Sequence, residues 1–103
     1  MPSRAETLRT MLAQDPKNSF VRYALAMDHV TGGDLEGAVA EFRTLLANDA
    51  NYCAGYFHGG QALEKLGRLE EAAALYRDGI DATRRTGDAH TRSELEAALS
   101  MIA

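Results

Sequence analysis

The sequence predicts an all-α protein made of antiparallel helix–turn–helix repeats, about six helices stacked as an α–α superhelix, or solenoid. The first observation is an internal repeat, because Gly33–Ala38 (GDLEGA) recurs as Gly67–Ala72 (GRLEEA), an offset of 34 residues. The second is that apolar residues recur at steps of three and four, which is typical of amphipathic helices. The third is that the two prolines, Pro2 and Pro16, leave the rest of the chain free to be helical.

The first helix is predicted at the N-terminal end of the chain. Ser3–Glu6 has the spacing of a capping box, and Leu8 and Leu12 fall on one face of the helix that follows. The Asp15-Pro16 pair is expected to end this helix. Leu8 lies one repeat length before Phe42, so we predict that residues 1–16 form a half repeat, the second helix of a leading unit.

Residues 17–50 are predicted to form the first full unit. Its first helix carries an apolar stripe that includes Leu25 and Val30, and Gly32-Gly33 is expected to end it, since glycine reaches the left-handed conformation at little cost. Asp34 is expected to cap the second helix. Neither helix can bury its stripe alone, so the helices must stack on their neighbours.

Residues 51–86 are predicted to form the second full unit, and residues 87–103 a C-terminal capping helix. No proline follows the second helix of this unit, so we expect that helix to run to about Thr86. Gly87 then breaks the chain. The last helix places Leu95, Leu99 and Ile102 on one face and charged residues off it, a pattern that favours a terminal cap.

These units resemble the tetratricopeptide repeat (TPR), and the chain resembles the small bacterial TPR proteins. The resemblance rests on the series Gly33, Ala38, Phe42 and the matching series Gly67, Ala72, Tyr76, and it covers essentially the whole chain. There are departures from the family pattern. Arg22 stands where a large apolar residue is expected early in the first helix, and the proline that usually closes a unit is absent after both full units.

The resemblance implies a protein-interaction scaffold that holds a peptide or helix of a partner protein in a groove lined by the first helix of each unit. Helical spacing independently places the first four of the candidate residues on one face. The candidates are Phe20, Tyr23, Met27, Thr31, Phe57, Gln61, Glu64 and Lys65. Two alternatives stay open. The leading and terminal helices can bury this apolar face as core, or the face can pair two copies of the chain as a homodimer.

Composition argues against other function classes. The net charge is −4 and no basic cluster is present, which disfavours nucleic acid as a partner. No apolar run approaches the ~20 residues of a membrane span. One cysteine, Cys53, cannot form an internal disulfide, which favours the cytoplasm. Three histidines on three separate helices suggest no metal site, and we expect no catalytic residue, no cofactor and no enzyme activity.

Overall fold

The computed structural model describes all 103 residues, as six α-helices joined by short turns. The helices are α1 (Arg4–Gln14), α2 (Ser19–Thr31), α3 (Leu35–Asn48), α4 (Cys53–Lys65), α5 (Leu69–Thr86) and α6 (Ala89–Ile102). The predicted all-α fold and the number of helices are confirmed.

Side-chain caps define the beginnings of four helices. Ser3, Asn18, Asp34 and Asp88 each accept a hydrogen bond from the backbone N–H three residues later, which satisfies a donor that the first turn leaves free. The predicted caps at Ser3 and Asp34 are therefore confirmed. The N-terminal ends of α4 and α5 have no side-chain cap, so these two helices depend on packing.

Glycines in the left-handed conformation make three of the turns. Gly33, Gly67 and Gly87 have φ angles of 82°, 76° and 75°, a region that residues with a Cβ rarely adopt. They lie in the turns between α2 and α3, between α4 and α5, and between α5 and α6. As expected, α5 continues to Thr86, because nothing stops it before Gly87.

The two other turns are alike even though only one contains proline. In the α1–α2 turn the N–H of Asn18 donates to the carbonyl of Asp15 at 3.1 Å, and in the α3–α4 turn the N–H of Tyr52 donates to Asp49 at 3.1 Å. The second turn carries Ala50 where the first has Pro16. The hydrogen bond therefore suffices to hold this turn, and proline is not required.

The buried core forms three clusters that grow towards the C-terminal end. The smallest joins α1 to α2, the next joins α2 to α3, and the largest, of 11 buried residues, joins α3 to α6. The side chains of Phe42 and Tyr76, which occupy the aromatic position of the two units, are fully buried. The C-terminal half thus carries most of the apolar packing that stabilises the fold.

Each helix packs on the next one along the chain, and α4 also contacts α6. The ring of Tyr23 on α2 lies 5.8 Å from the ring of His58 on α4, so α2, α4 and α6 are arranged side by side. We call the surface formed by these three helices the even-helix face. The molecule measures 43 × 29 × 19 Å.

Candidate functional site

The α2 part of the even-helix face is open at its N-terminal end and packed in its middle. Phe20 is 71% exposed, although it is a large apolar residue. Tyr23 and Met27 are half-buried and pack against the cluster around Phe42. Thr31 is exposed, and its hydroxyl donates to the carbonyl of Met27 at 3.0 Å. All four predicted residues of α2 therefore lie along one side of the helix, with their exposure greatest at its two ends.

Aromatic rings connect α2 to α4. The Tyr23 ring lies 5.4 Å from Tyr52 and 5.8 Å from His58, and the His58 ring lies 5.2 Å from Phe57. The two contacts of His58 are edge-on, a geometry that ring pairs prefer, whereas the rings of Tyr23 and Tyr52 are tilted at 42°. Burial, followed by the neighbouring Tyr52, raises the pKa of Tyr23, so its hydroxyl stays protonated and able to donate a hydrogen bond.

The α4 part of the face contains residues of three kinds. Phe57 is half-buried and packs on the large core cluster, while Gln61 and Lys65 are exposed. Glu64 is half-buried and its carboxylate accepts a hydrogen bond from the hydroxyl of Tyr76. Burial and this carboxylate both raise the pKa of Tyr76, because each disfavours a charged phenolate. The Glu64 side chain is thus already bonded within the protein, whereas Gln61 and Lys65 extend into solvent.

A cleft of about 340 Å³ runs between α4 and α6. Its walls are Phe57 and Gln61 from α4 and Glu94, Ala97, Ala98 and Met101 from α6. The terminal helix therefore covers part of Phe57 but leaves open space beside it. Met101 is 83% exposed, so the cleft has an apolar and accessible rim.

The α6 residues of this cleft are absent from the sequence-based set, which took this helix only as a cap. Glu94, Ala97, Ala98 and Met101 recur at steps of three and four. This spacing was the sequence signal that could have identified the α6 residues of the cleft. Counted from the beginning of each helix, Ala97 of α6 corresponds to Gln61 of α4. Sequence reasoning also missed His58 and Tyr52, the partners of the Tyr23 ring.

His58 is a half-buried titratable group of the even-helix face. Burial lowers its pKa, and the nearby Glu94 acts weakly in the opposite direction. The neutral imidazole is the form that fits between the rings of Tyr23 and Phe57.

No three side chains of His, Cys, Asp and Glu lie close enough together to hold a metal ion. None of the six helices combines the length with the apolar character that a membrane crossing requires.

Helices that pack each on the next, with an internal repeat and matched turns, define a helical-repeat protein, the class in which stacked helix pairs share one continuous core. A scan against protein-family models finds no match, and a search of curated proteins finds no significant relative. Solved structures do match.

A tetratricopeptide repeat domain protein from Salinibacter ruber, in its solution structure, is 35% identical with a TM-score of 0.80, over 85% of this chain and 89% of that one. Its crystal structure is 34% identical with a TM-score of 0.78, over 82% and 94%. A protein from Bordetella parapertussis is 25% identical with a TM-score of 0.83, over 99% and 89%. The chain belongs to the tetratricopeptide repeat family, whose helical repeats serve as protein-interaction scaffolds.

The fold extends to more distant proteins. The type III secretion translocator chaperone SycD of Yersinia enterocolitica shares only 15% identity but has a TM-score of 0.87, over 95% of this chain and 68% of that one. This likeness concerns the arrangement of the helices alone.

Proposed function

We propose that the protein holds a peptide or helix of a partner protein on the even-helix face. The observation that carries the proposal is the accessible cleft between α4 and α6, which continues through Phe57 and His58 to the rings on α2. The proposed contact residues are those expected from the sequence, together with the α6 wall of the cleft. They are Phe20, Tyr23, Met27, Thr31, Phe57, Gln61, Glu64 and Lys65, joined by Ala97 and Met101.

The chemistry of this face favours an apolar side chain as the anchor of the ligand. Aromatic and methionine side chains offer a large contact area and adaptable packing, and the Gln61 amide can bond a peptide backbone. TPR modules that bind the acidic C-terminus of a chaperone present lysine, asparagine and arginine to its carboxylates. Here the matching positions carry Tyr23, Met27, Phe57 and Gln61, so we propose an apolar ligand and a binding role without catalysis.

A bulky substitution in the cleft tests this proposal. Ala97 is exposed on α6 and lines the cleft, so Ala97→Arg fills it without removing any buried contact. The matched control is Ala74→Arg, the same change at an exposed alanine of α5 outside the cleft. Peptides selected from a displayed random library against the unmodified protein are expected to bind A97R about tenfold more weakly or worse, and A74R unchanged, by calorimetry. Equal binding to A97R and the unmodified protein would exclude the cleft as the peptide-binding site.

A homodimer through the same face is the second candidate, because Phe20 and Met101 leave large apolar areas exposed, at 71% and 83%. Light scattering over a range of concentrations separates the two. A dimer that dissociates in A97R but not in A74R would favour self-association, whereas a monomer at every concentration would exclude it.

We further propose the unit boundaries 1–16, 17–50, 51–86 and 87–103, supported by helix ends that fall inside each of these segments. We also propose the cytoplasm as the compartment, since the Cys53 thiol is buried and has no disulfide partner in the chain.

A further inference from the structure

A second and larger cleft, of about 470 Å³, lies between α1 and α3 over the outer side of α2. Its lining combines apolar side chains, among them Leu12 and Leu25, with two arginines, Arg9 and Arg22, and a single carboxylate, that of Glu41. We call it the α1–α3 cleft. It takes no part in the even-helix face.

At the equivalent position one repeat further along the chain, an ion pair joins two helices. One repeat length after Arg9, Arg43 on α3 donates to the carboxylate of Glu71 on α5 at 2.9 Å and so bridges the two helices. The residue of the first unit that corresponds to Glu71 is Gly37. The junction between the half repeat and the first unit therefore has the arginine of the bridge, Arg9, but lacks its carboxylate.

Local packing explains why Gly37 carries no side chain. The carboxylate of Asp34 caps α3 through the N–H of Gly37 and also contacts the His29 ring, with Asp34 Oδ2 3.0 Å from His29 Nδ1. A Cβ on Gly37 would lie 2.8 Å from Asp34 Cγ and 2.9 Å from His29 Nδ1, which is closer than Cβ atoms approach other atoms. The missing carboxylate thus cannot be supplied from this position without disturbing the cap.

Both arginines of the cleft retain unused donors. Arg9 is exposed and forms no ion pair or hydrogen bond within the protein. Arg22 bonds to Glu41 at 3.1 Å and to the carbonyl of Pro16 at 3.1 Å, but its Nε is buried without a partner. A buried donor without a partner costs free energy. The exposed guanidinium of Arg9 is the group that an acceptor in the cleft can reach.

We propose that the α1–α3 cleft binds an acidic side chain of a partner polypeptide, with Arg9 as the main contact. The carboxylate takes the role that Glu71 has against Arg43. Within the protein that role belongs to a glutamate borne on a helix, so a glutamate on a partner helix reproduces the known arrangement. The cleft is also larger than one carboxylate, and Leu12 and Leu25 provide room for an apolar neighbour of that glutamate.

The test uses two acetylated and amidated helical peptides that differ in one residue, a glutamate or a glutamine between leucines. The glutamate peptide is expected to shift the backbone amide signals of Ala13 and Ala40, which line the cleft, in ¹⁵N–¹H spectra. It is expected to bind at least about tenfold more tightly than the glutamine peptide, because charge-assisted hydrogen bonds are the stronger ones. Added salt is expected to reduce this difference.

Three variants connect the preference to the cleft. Arg9→Gln removes the preference for glutamate without changing the melting temperature, since Arg9 makes no internal bond. Ala40→Glu weakens binding of the glutamate peptide, because it places a second carboxylate in the cleft wall that repels the peptide's own. Arg43→Gln, the equivalent change in the next unit, leaves the preference intact because Arg43 does not line the cleft.

The proposal is overturned if the glutamate peptide fails to bind, if both peptides bind equally, or if R9Q retains the preference. Isocaproate, a free apolar carboxylate, serves as the last probe. The proposal is also overturned if isocaproate alone shifts the same amides with the affinity of the peptide, because the cleft is then a small-molecule site.

Discussion

Arg22 occupies a position that the repeat gives to a large apolar residue, and its contacts explain how the fold accepts it. In the second unit the equivalent residue is Tyr56, whose hydroxyl donates to the carbonyl of Ala50 at 2.8 Å. Arg22 donates to the equivalent carbonyl, that of Pro16, at 3.1 Å. The arginine thus keeps the hydrogen bond that ties helix to turn, while Glu41 balances its charge in a half-buried place.

Gly60, unlike Arg22, occupies a position where the packing leaves no room for any side chain. A Cβ at this position of α4 would overlap the ring of Tyr76, which is fully buried and cannot move aside. The absence of a side chain at Gly60 therefore allows α4 and α5 to pack closely.

We predict that Gly60→Ala lowers the free energy of unfolding by about 1–3 kcal/mol, because overpacking outweighs the gain in helix propensity. The control is Gly55→Ala in the same helix, where the new Cβ lies 3.0 Å from a methyl group of the half-buried Leu46 and that methyl can shift. We expect G55A to stay within about 1 kcal/mol of the unmodified protein. Urea denaturation measures both, and equal stabilities of the two variants would contradict the packing argument.

Helix caps set the behaviour of the terminal elements. Asp88 accepts hydrogen bonds from Thr91 at the beginning of α6, and these bonds lower its pKa. A lowered pKa in the folded state means that the contribution to stability is present above the usual pKa of an aspartate and is lost as the pH falls through the folded value. Acid therefore loosens α6, the helix that forms one wall of the α4–α6 cleft.

We predict that Asp88→Ala lowers the protection of the α6 amides against hydrogen exchange and weakens binding of the library-selected peptides. Ser3→Ala is the matched control, because it removes the equivalent cap from the other terminal helix, α1, which does not line that cleft. Hydrogen exchange followed by calorimetry gives both readouts. The prediction is contradicted if S3A loses peptide binding. It is also contradicted if D88A loosens α6 but still binds the peptides as tightly as the unmodified protein.

The elements themselves were predictable from local patterns, because apolar spacing and glycine placement act within a few residues. The beginning of α4 has no such local signal, since the side chain of Tyr52 makes no capping hydrogen bond and the helix is held by its packing. The apolar face of α6 identified it as a terminal helix. Which of its residues lie beside α4 was not predicted, because that depends on packing between separate helices.

At the scale of the whole molecule, His58 links three helices. Its ring contacts Tyr23 of α2 and Phe57 of α4, and Glu94 of α6 acts on its charge. Burial places its folded-state pKa below the usual value of 6.5, so the unfolded chain binds the proton more readily. The free energy of unfolding therefore falls as the pH drops through 6.5 and levels off below the folded value.

We predict that His58→Gln reduces the loss of stability between about pH 7.5 and pH 5, a window that spans the ordinary titration of histidine. His90→Gln is the control, because His90 is exposed on α6 and lies outside the ring cluster. The measurement is the urea midpoint at both pH values. An unchanged pH dependence in H58Q would show that another group is responsible.

The sequence by itself determined the helices, their turns and the family. Helix periodicity, caps and left-handed glycines are local features, and the same pattern occurs in both full units. Only the tertiary structure decided which surfaces stay open. The α4–α6 cleft is lined by side chains of α4 and α6, helices that are separated in the chain by the whole of α5. The α1–α3 cleft exists because Gly37 and Arg22 stand where the second unit has Glu71 and Tyr56. Both depend on contacts between residues far apart in the chain, which no local pattern specifies.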